Sequence, residues 1–267
     1  MTDSIDQYDV RFPKTQALLR QRLPIMYRLI GQLYLRVLSV DRYKLQRSLK
    51  SEVRQIRNSK SSQLVFVQVG SNDGLTNDPI RGFILEDPCT AVLVEPVPNC
   101  FARLQANYSE FIDKDLRNFD IRLRQMAVGP TSGTQKFYAV STKAKDELGD
   151  SLPEWWDQIG SFDRGHITRH LDGILDPYID ELEIPTLRLG ELLEAENLER
   201  IDILHIDAEG HDVEVLKSMD LSETSVSCIL IEWKHLSSED LSQLLSLLDL
   251  NGYTVRKFKS DILATLK

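Results

Sequence analysis

The sequence predicts an α/β protein built on a doubly wound, mostly parallel sheet, and three observations carry that prediction. An apolar run, Leu64, Val65, Phe66, Val67 and Val69, stops at a turn of Gly70, Ser71, Asn72, Asp73 and Gly74. Such a run reads as a buried parallel strand ending in a tight glycine loop. Strand-like and helix-like segments then alternate over much of the remaining chain, as expected of βαβ units with right-handed crossovers. An acidic residue, Glu95, closes the second apolar run, 91–94, where ligands of open α/β sheets bind.

With 267 residues, 42% hydrophobic and 27% charged, the chain is long enough to bury a full core. One large α/β domain, 61–267, with an N-terminal extension, 1–60, is the expected organisation. No apolar run reaches the roughly 18 residues of a membrane span, and MTDSIDQYDV lacks a signal peptide's basic start and apolar core. A cytoplasmic protein is expected. Cys89, Cys100 and Cys228 form no C-x-x-C pair, which fits unpaired structural thiols in a reducing compartment.

The net charge of −9 is unevenly spread. Residues 14–60 carry 12 Lys/Arg against Asp41 and Glu52, a net +10, whereas residues 61–267 carry 19 Lys/Arg against 36 Asp/Glu, a net −17. The extension reads as helical over 20–60. Met26, Leu29, Ile30, Leu33, Tyr34, Val37 and Leu38 form an apolar stripe, and a second, basic piece over 44–57 is thinly apolar through Leu45, Leu49, Val53 and Ile56. Two roles stay open for residues 14–60: packing on the large domain or a second subunit, or peripheral contact with an anionic membrane at its inner face. Nucleic acid is not an expected partner, because the large domain is acidic and no basic stripe with interleaved aromatics accompanies it.

Along the domain, the strand 64–69 is followed by a helix near 79–86, the strand 91–94 and a helix 99–107 with Pro98 near its start. A third strand is expected over 121–128 and another over 134–140. The rhythm breaks between 141 and 184, an insertion with Trp155, Trp156, His166 and His170 and helical fragments at 153–159 and 166–171. Insertions of this size are more often functional than idle. The rhythm returns with helix 189–196, strand 201–206, helix 213–219, strand 226–231 and helix 238–250, closed by Asn251 and Gly252. Segments 253–258 and 262–266 form a closing hairpin.

Glu95 lies 21 positions after Gly74, the placement of a carboxylate that accepts hydrogen bonds from an adenosine ribose. The glycine turn lacks the G-x-G-x-x-G pattern, which argues against a pyrophosphate seated on a helix N-terminus. A ribose-bearing ligand without a diphosphate remains, and S-adenosylmethionine is the candidate. In the third anchor, residues 201–216, an apolar strand delivers Asp207 and Glu209 to its carboxyl end just before Gly210. In a doubly wound sheet these carboxylates face the same crevice as Gly70 to Gly74.

Together, VGSNDG (69–74), LVEPVPNCFARLQANY (93–108), QMAVG (125–129), IPTLRLGELL (184–193) and IDILHIDAEGHDVEVLKSM (201–219) resemble the FkbM family of methyltransferases. The resemblance covers residues 64 to about 232. It implies a Rossmann-like, class I S-adenosylmethionine-dependent fold, with a seven-stranded mostly parallel sheet whose last strand is reversed. It implies methyl transfer to oxygen, typically on a sugar or a polyketide-like small molecule, with S-adenosylhomocysteine as product. On the matching residues, Gly70, Ser71, Asn72, Asp73 and Gly74 hold the cofactor's methionine part, Glu95 its ribose, Met126 and Ala127 border the adenine, and Asp207 sits near the sulfonium. Gln68 stands where many class I methyltransferases have an acidic residue at the cofactor. His205 stands where the family often has lysine.

Methyl transfer is an in-line displacement helped by holding nucleophile and sulfonium in line, and a sugar hydroxyl also needs a base. Candidate bases are Asp207, Glu209, His211, His166, His170 and Glu232. His166 and His170, four apart, fall on one face of a helical turn, with Asp163 close enough to orient an imidazole. Asp207, Glu209 and His211 are an alternative divalent-ion set, although a metal is not the expectation. The expected function is therefore S-adenosylmethionine-dependent O-methyl transfer to a hydroxyl of a glycan or secondary metabolite. The rivals are a nucleotide-binding oxidoreductase, disfavoured by the missing G-x-G-x-x-G, and a non-catalytic partner docking through the basic extension.

Overall fold

The computed structural model describes residues 24–113 and 118–267, with side chains for 40–112 and 118–267. The expected helical start at 20–23 and the apolar stripe from Met26 to Leu38 lie outside the residues and side chains so described. The two expected helical pieces are one continuous helix, α1 (Pro24–Ser59). In its second half Leu45, Leu49, Val53 and Ile56 recur at spacings of four, four and three, and all four are buried on the large domain. Lys44, Arg47, Lys50 and Arg54 stay exposed on the other side. Burying each such leucine contributes roughly 2 kcal/mol, so a thin stripe is enough to fix the helix. Past its end, Lys60 pairs with the fully buried Asp202, whose second oxygen accepts the Val65 amide at 2.8 Å.

Among the described residues a seven-stranded sheet has the order β3-β2-β1-β7-β8-β10-β9. Its strands are β1 (Leu64–Val69), β2 (Cys89–Val94), β3 (Asp120–Arg124), β7 (Arg200–Ile206), β8 (Ser225–Glu232), β9 (Tyr253–Lys257) and β10 (Asp261–Leu266). β10, the last in sequence, runs antiparallel to both neighbours, and the other adjacent pairs are parallel. This is the expected doubly wound sheet with its reversed strand. Alternate side chains enter two cores: Leu64 and Phe66 face α1, α2 (Arg81–Ile84) and α3 (Pro98–Asp113), while Val67 and Val69 face α6 (Leu189–Ala195), α7 (Asp212–Lys217) and α8 (Ser238–Leu250). Chain order reverses between β1 and β7, which opens a crevice at the carboxyl ends of these strands.

The expected single strand 121–128 is corrected. The chain leaves the main sheet after β3, and Ala127–Val128 (β4) joins a second, three-stranded sheet of order β4-β6-β5, with β5 (Gly133–Val140) and β6 (Ile179–Leu187). The expected insertion 141–184 thus contains most of a strand, β6, antiparallel to the whole of β5. The expected helical fragment 153–159 is a turn. Helix α4 (Lys143–Leu148) and the short α5 (Arg164–Thr168) pack with Trp155, Trp156 and Leu175 into a separate apolar cluster beneath β5. That cluster carries α5 to the mouth of the crevice. Among the described residues no helix is long and apolar enough to cross a membrane.

Candidate active site

The loop after β1 is fixed by backbone geometry. Gly70 has φ +80°, and a Cβ there would lie 1.9 Å from the carbonyl oxygen of Asp207, so only glycine lets β1 and β7 end side by side. The Gly70 and Ser71 amides both donate to Val94 O at 3.0 Å, and the Asp207 amide donates to Val69 O at 3.0 Å. The ends of β1, β2 and β7 are therefore joined in one rim. Asp73 accepts from the Leu75 amide at 2.9 Å and from the Thr76 amide and hydroxyl at 2.8 and 2.6 Å. Burial raises its pKa, but these Thr76 and Leu75 bonds outweigh burial and hold the carboxyl below its usual range.

Of the expected cofactor residues, Gly70, Asn72, Glu95, Met126, Ala127 and Asp207 line the crevice. Ser71, Asp73 and Gly74 build the turn and do not line the crevice. Ser71 Oγ turns back to Gln68 O, Asp73 is consumed by Leu75 and Thr76, and a Cβ at Gly74 would strike Leu104 and Tyr108 of α3. Gln68 does not line the crevice either. Its side chain lies on the α1 and α2 side of the sheet, where Nε2 donates to His205 Nδ1 at 3.1 Å and to Asp78 at 3.4 Å.

Glu95 is 3% exposed and each oxygen accepts one amide, Val97 N at Oε1 and Asn72 N at Oε2, both at 2.8 Å. A lone pair on each oxygen is left for a vicinal diol. Burial pushes its pKa up to about 7, against the two amides that lower it. Asp207 Oδ1 is buried without a hydrogen-bond partner. A buried orphan acceptor at the crevice wall suits a cationic sulfonium or amino group. Met126, Ala127, Val128, Phe137 and Phe162 give the opposite wall an apolar face for a purine ring. The diol acceptor, orphan carboxylate and apolar slot fit S-adenosylmethionine.

Beyond Asp207 the crevice ends in a cluster of titratable groups. Glu209 lines it with φ +47°, a conformation unusual for a side chain of this size, and Gly210 follows at φ +94°. The buried Asp212 holds this turn, accepting the Ala208 and Gly210 amides at 3.0 and 3.1 Å. His166 Nε2 donates to Glu209 Oε2 at 2.9 Å, and His235 Nε2 lies 3.5 Å from both Glu209 and Glu232. His170 Nδ1 donates to His166 O at 2.9 Å, and the two rings are 4.7 Å apart. Burial raises Glu209, but its bond from His166 and the charge of Lys234 outweigh this and hold it at about 2. Asp207 and Glu232 both lie well above the usual carboxylate range, first through burial and then through their acidic neighbours.

The pairing of His166 with His170 is as expected, but their partner is not. Asp163 caps α5 by accepting the Gly165 amide at 2.8 Å and pairs with Arg169, so the carboxylate that orients His166 is Glu209. His211 packs edge-on against Phe162 at 5.3 Å and stays outside the ligand-like clusters. Sequence reasoning missed His235, Lys234 and Asp212. The signal for the first two was available: both follow Glu232 at the carboxyl end of β8, beside β7, where side chains meet the same crevice.

Residues 68–255 match the family described as Methyltransferase FkbM domain. No curated protein matches the chain. Among solved structures, the chain is similar to methyltransferase FkbM from Methylobacillus flagellatus KT, with 11% identity and a TM-score of 0.47 over 76% of this chain and 43% of that one. It thus spans under half of that protein's length. It is also similar to precorrin-6y C5,15-methyltransferase from Geobacter metallireducens GS-15, with 11% identity and a TM-score of 0.40 over 84% and 88% of the two chains. A third likeness is the N-terminal domain of human METTL16 in complex with SAH, with 12% identity and a TM-score of 0.40 over 82% and 69%. The chain belongs to the FkbM methyltransferase family, and as a member of it takes S-adenosylmethionine as its cofactor.

Proposed function

We propose that this methyltransferase acts on oxygen, taking a hydroxyl of a sugar, glycan or hydroxylated secondary metabolite as acceptor. The observation that carries this reading is Glu209, which stands between the crevice and three imidazoles and is hydrogen-bonded to one of them at 2.9 Å. A hydroxyl is a poor nucleophile until its proton has somewhere to go. S-adenosylmethionine, when bound, supplies an electrophilic methyl on a sulfonium.

The protein's residues do the rest. Glu95 accepts the ribose hydroxyls, and Met126, Ala127 and Phe137 exclude water from the purine face. Asp207 holds the cationic end of the cofactor. Glu209 accepts the hydrogen bond of the acceptor hydroxyl and points its oxygen along the displacement line. As the proton leaves, the Glu209 charge stabilises the imidazolium formed on the adjoining histidines. Gln158, from the turn before α5, stands on the acceptor side of the crevice. Residues 14–60 are proposed as a docking element for a membrane surface or a second copy, through the half that precedes Leu45.

Calorimetry with S-adenosylhomocysteine, followed by label transfer from methyl-labelled S-adenosylmethionine into hydroxyl-rich glycan and metabolite extracts, tests the proposal. Label that survives base but is released as methyl iodide by hydriodic acid supports oxygen as the acceptor atom of an ether. Glu95→Ala is expected to weaken S-adenosylhomocysteine binding about 10- to 100-fold, the loss expected for charge-assisted hydrogen bonds. Unchanged binding in that variant, or label appearing on nitrogen or carbon alone, would sink the reading.

A further inference from the structure

We propose that His166, His170, His235 and Glu209 form a binding site for one divalent first-row transition metal ion at the acceptor end of the crevice. One ligand atom from each residue falls in a set whose members all lie within 4.8 Å of one another. Two of the separations are 2.9 Å from His166 Nε2 to Glu209 Oε2 and 3.5 Å from His235 Nε2 to the same oxygen. Four ligands at about 2.0 to 2.1 Å from a tetrahedral ion stand roughly 3.3 to 3.4 Å apart, so these two separations bracket the edge of such a polyhedron.

The three rings converge mutually, with centroids 4.7, 4.9 and 5.5 Å apart. One imidazole is enough to satisfy one carboxylate by hydrogen bonding, and crowding three around it brings their nitrogens together. The supports are also those of a ligand set. His170 Nδ1 donates to His166 O, the kind of backbone-carbonyl support that fixes the orientation of metal-binding histidines. Glu209 reaches the cluster from a left-handed backbone, and Gly210 lies flush beneath, its absent Cβ only 3.8 Å from His166 Nδ1 and 3.9 Å from His235 Cβ. When the metal binds, a neutral His166 carries its single proton on Nδ1, whereas an imidazolium releases its Nε2 proton to solvent, and the metal takes that place beside Glu209.

Three imidazoles and one carboxylate favour zinc, cobalt or nickel over magnesium and calcium. The neighbouring acidic trio Asp207, Glu209 and Glu232 is a poorer cation site, because Lys234 already lies 2.6 Å from Glu232 and raises the positive charge there. An ion on the histidine side would replace the imidazoles as the device that disposes of the proton: it would share Glu209 with the crevice and acidify an acceptor hydroxyl there, whose proton then leaves to solvent. That catalytic part rests on the oxygen-transfer reading, whereas metal binding itself does not.

The full chain, stripped with a chelator and passed through metal-free gel filtration, is loaded with Zn²⁺ or Co²⁺ alone and measured by plasma mass spectrometry. The expected result is about one equivalent retained per chain, with visible Co²⁺ bands of four- or five-coordination. His170→Ala and His235→Ala are each expected to weaken retention by at least about 10-fold, while calorimetric binding of S-adenosylhomocysteine shows that the variants are folded. His235→Cys is expected to add a thiolate-to-cobalt charge-transfer band that His211→Cys does not. Retention below about one tenth of an equivalent, or retention equal to wild type in both alanine variants, overturns the site. Loss of S-adenosylhomocysteine binding in the wild-type protein would overturn the methyl-transfer reading and leave a positive metal result intact.

Discussion

Gln68 and His205 face each other in register on β1 and β7, and Gln68 Nε2 donates to His205 Nδ1 at 3.1 Å with both side chains buried. The two positions at which the chain departs from its family's pattern are therefore one pair. Burial lowers the His205 pKa to about 4, so the ring is neutral and accepts the amide proton.

This pairing makes a double-mutant cycle informative. His205→Lys alone puts an ammonium where the sheet is closed on both faces, with Gln68 as its only replaced partner, and is expected to cost about 3 to 5 kcal/mol in denaturant unfolding. Adding Gln68→Glu supplies the missing charge and is expected to recover at least about 1 kcal/mol of that loss as coupling energy. Additive effects of the two substitutions would show that the side chains do not act on each other.

Glu209 and His166 should behave as one catalytic unit. Glu209→Gln preserves the shape of the side chain but removes the charge that holds an imidazolium. It is expected to lower methyl transfer at least about 100-fold, with S-adenosylhomocysteine affinity changed by less than about threefold. His166→Ala is expected to cost a similar factor, and the double variant little more than either alone, because parts of one device do not add. Label-transfer rates for the four proteins, with an acceptor found in the extract screen, test this. Multiplying losses in the double variant would separate the two residues.

Much of the crevice could be read in the chain because it is built where strands end. Gly70, Glu95 and Asp207 each close an apolar run, and run ends are local features that need no long-range contact to recognise. The histidine cluster is different. His235 meets Glu209 across 26 positions of sequence, with helix α7 and strand β8 between them, and nothing periodic marks it. The small second sheet was hidden by Pro185, which reads as the end of a loop. In the fold Pro185 lies just beyond the short β4 pairing at Thr186, where its missing N–H is not needed. Ser71, Asp73 and Gly74 were legible as a turn, but composition cannot show whether a polar turn residue serves the ligand or the turn itself.

Gly70 sets the distance between β1 and β7 at the cofactor. In Gly70→Ala the added methyl meets the Asp207 carbonyl at 1.9 Å, in a backbone conformation that L residues rarely adopt. Backbone atoms cannot swing aside as a flexible side chain does, so the strand ends must separate. The expected outcome is a loss of more than about 2 kcal/mol of stability together with loss of S-adenosylhomocysteine binding. Gly82→Ala is the control, since a Cβ there meets nothing within 4 Å. Wild-type affinity in Gly70→Ala, measured by calorimetry, would disprove a rigid rim.

Glu95 gives stability and cofactor affinity opposite dependences on pH. Its carboxyl is enclosed by the Asn72 and Val97 amides, with Arg103 and Asp157 paired at 2.9 Å beyond them, and burial lifts its pKa from 4.5 to about 7. The folded state therefore binds this proton more tightly than the unfolded chain does. The stabilisation is complete below pH 4.5 and is lost as pH rises through about 7. The shift corresponds to an upper bound of about 3 kcal/mol, or roughly 5 to 10 °C in Tm. Asp261, raised by burial to about 6, adds to the same slope, so some decline must survive in Glu95→Gln. Affinity should run the other way, because ribose hydroxyls donate to the ionised carboxylate. S-adenosylhomocysteine binding is expected to weaken by up to about tenfold per pH unit below about 7, and that slope to shrink in Glu95→Gln, where Asp207, itself raised by burial, keeps the remainder. Thermal scans and calorimetry between pH 5 and 8 on both proteins would reveal the two slopes. If wild-type affinity stays constant across that range, Glu95 does not carry the ribose.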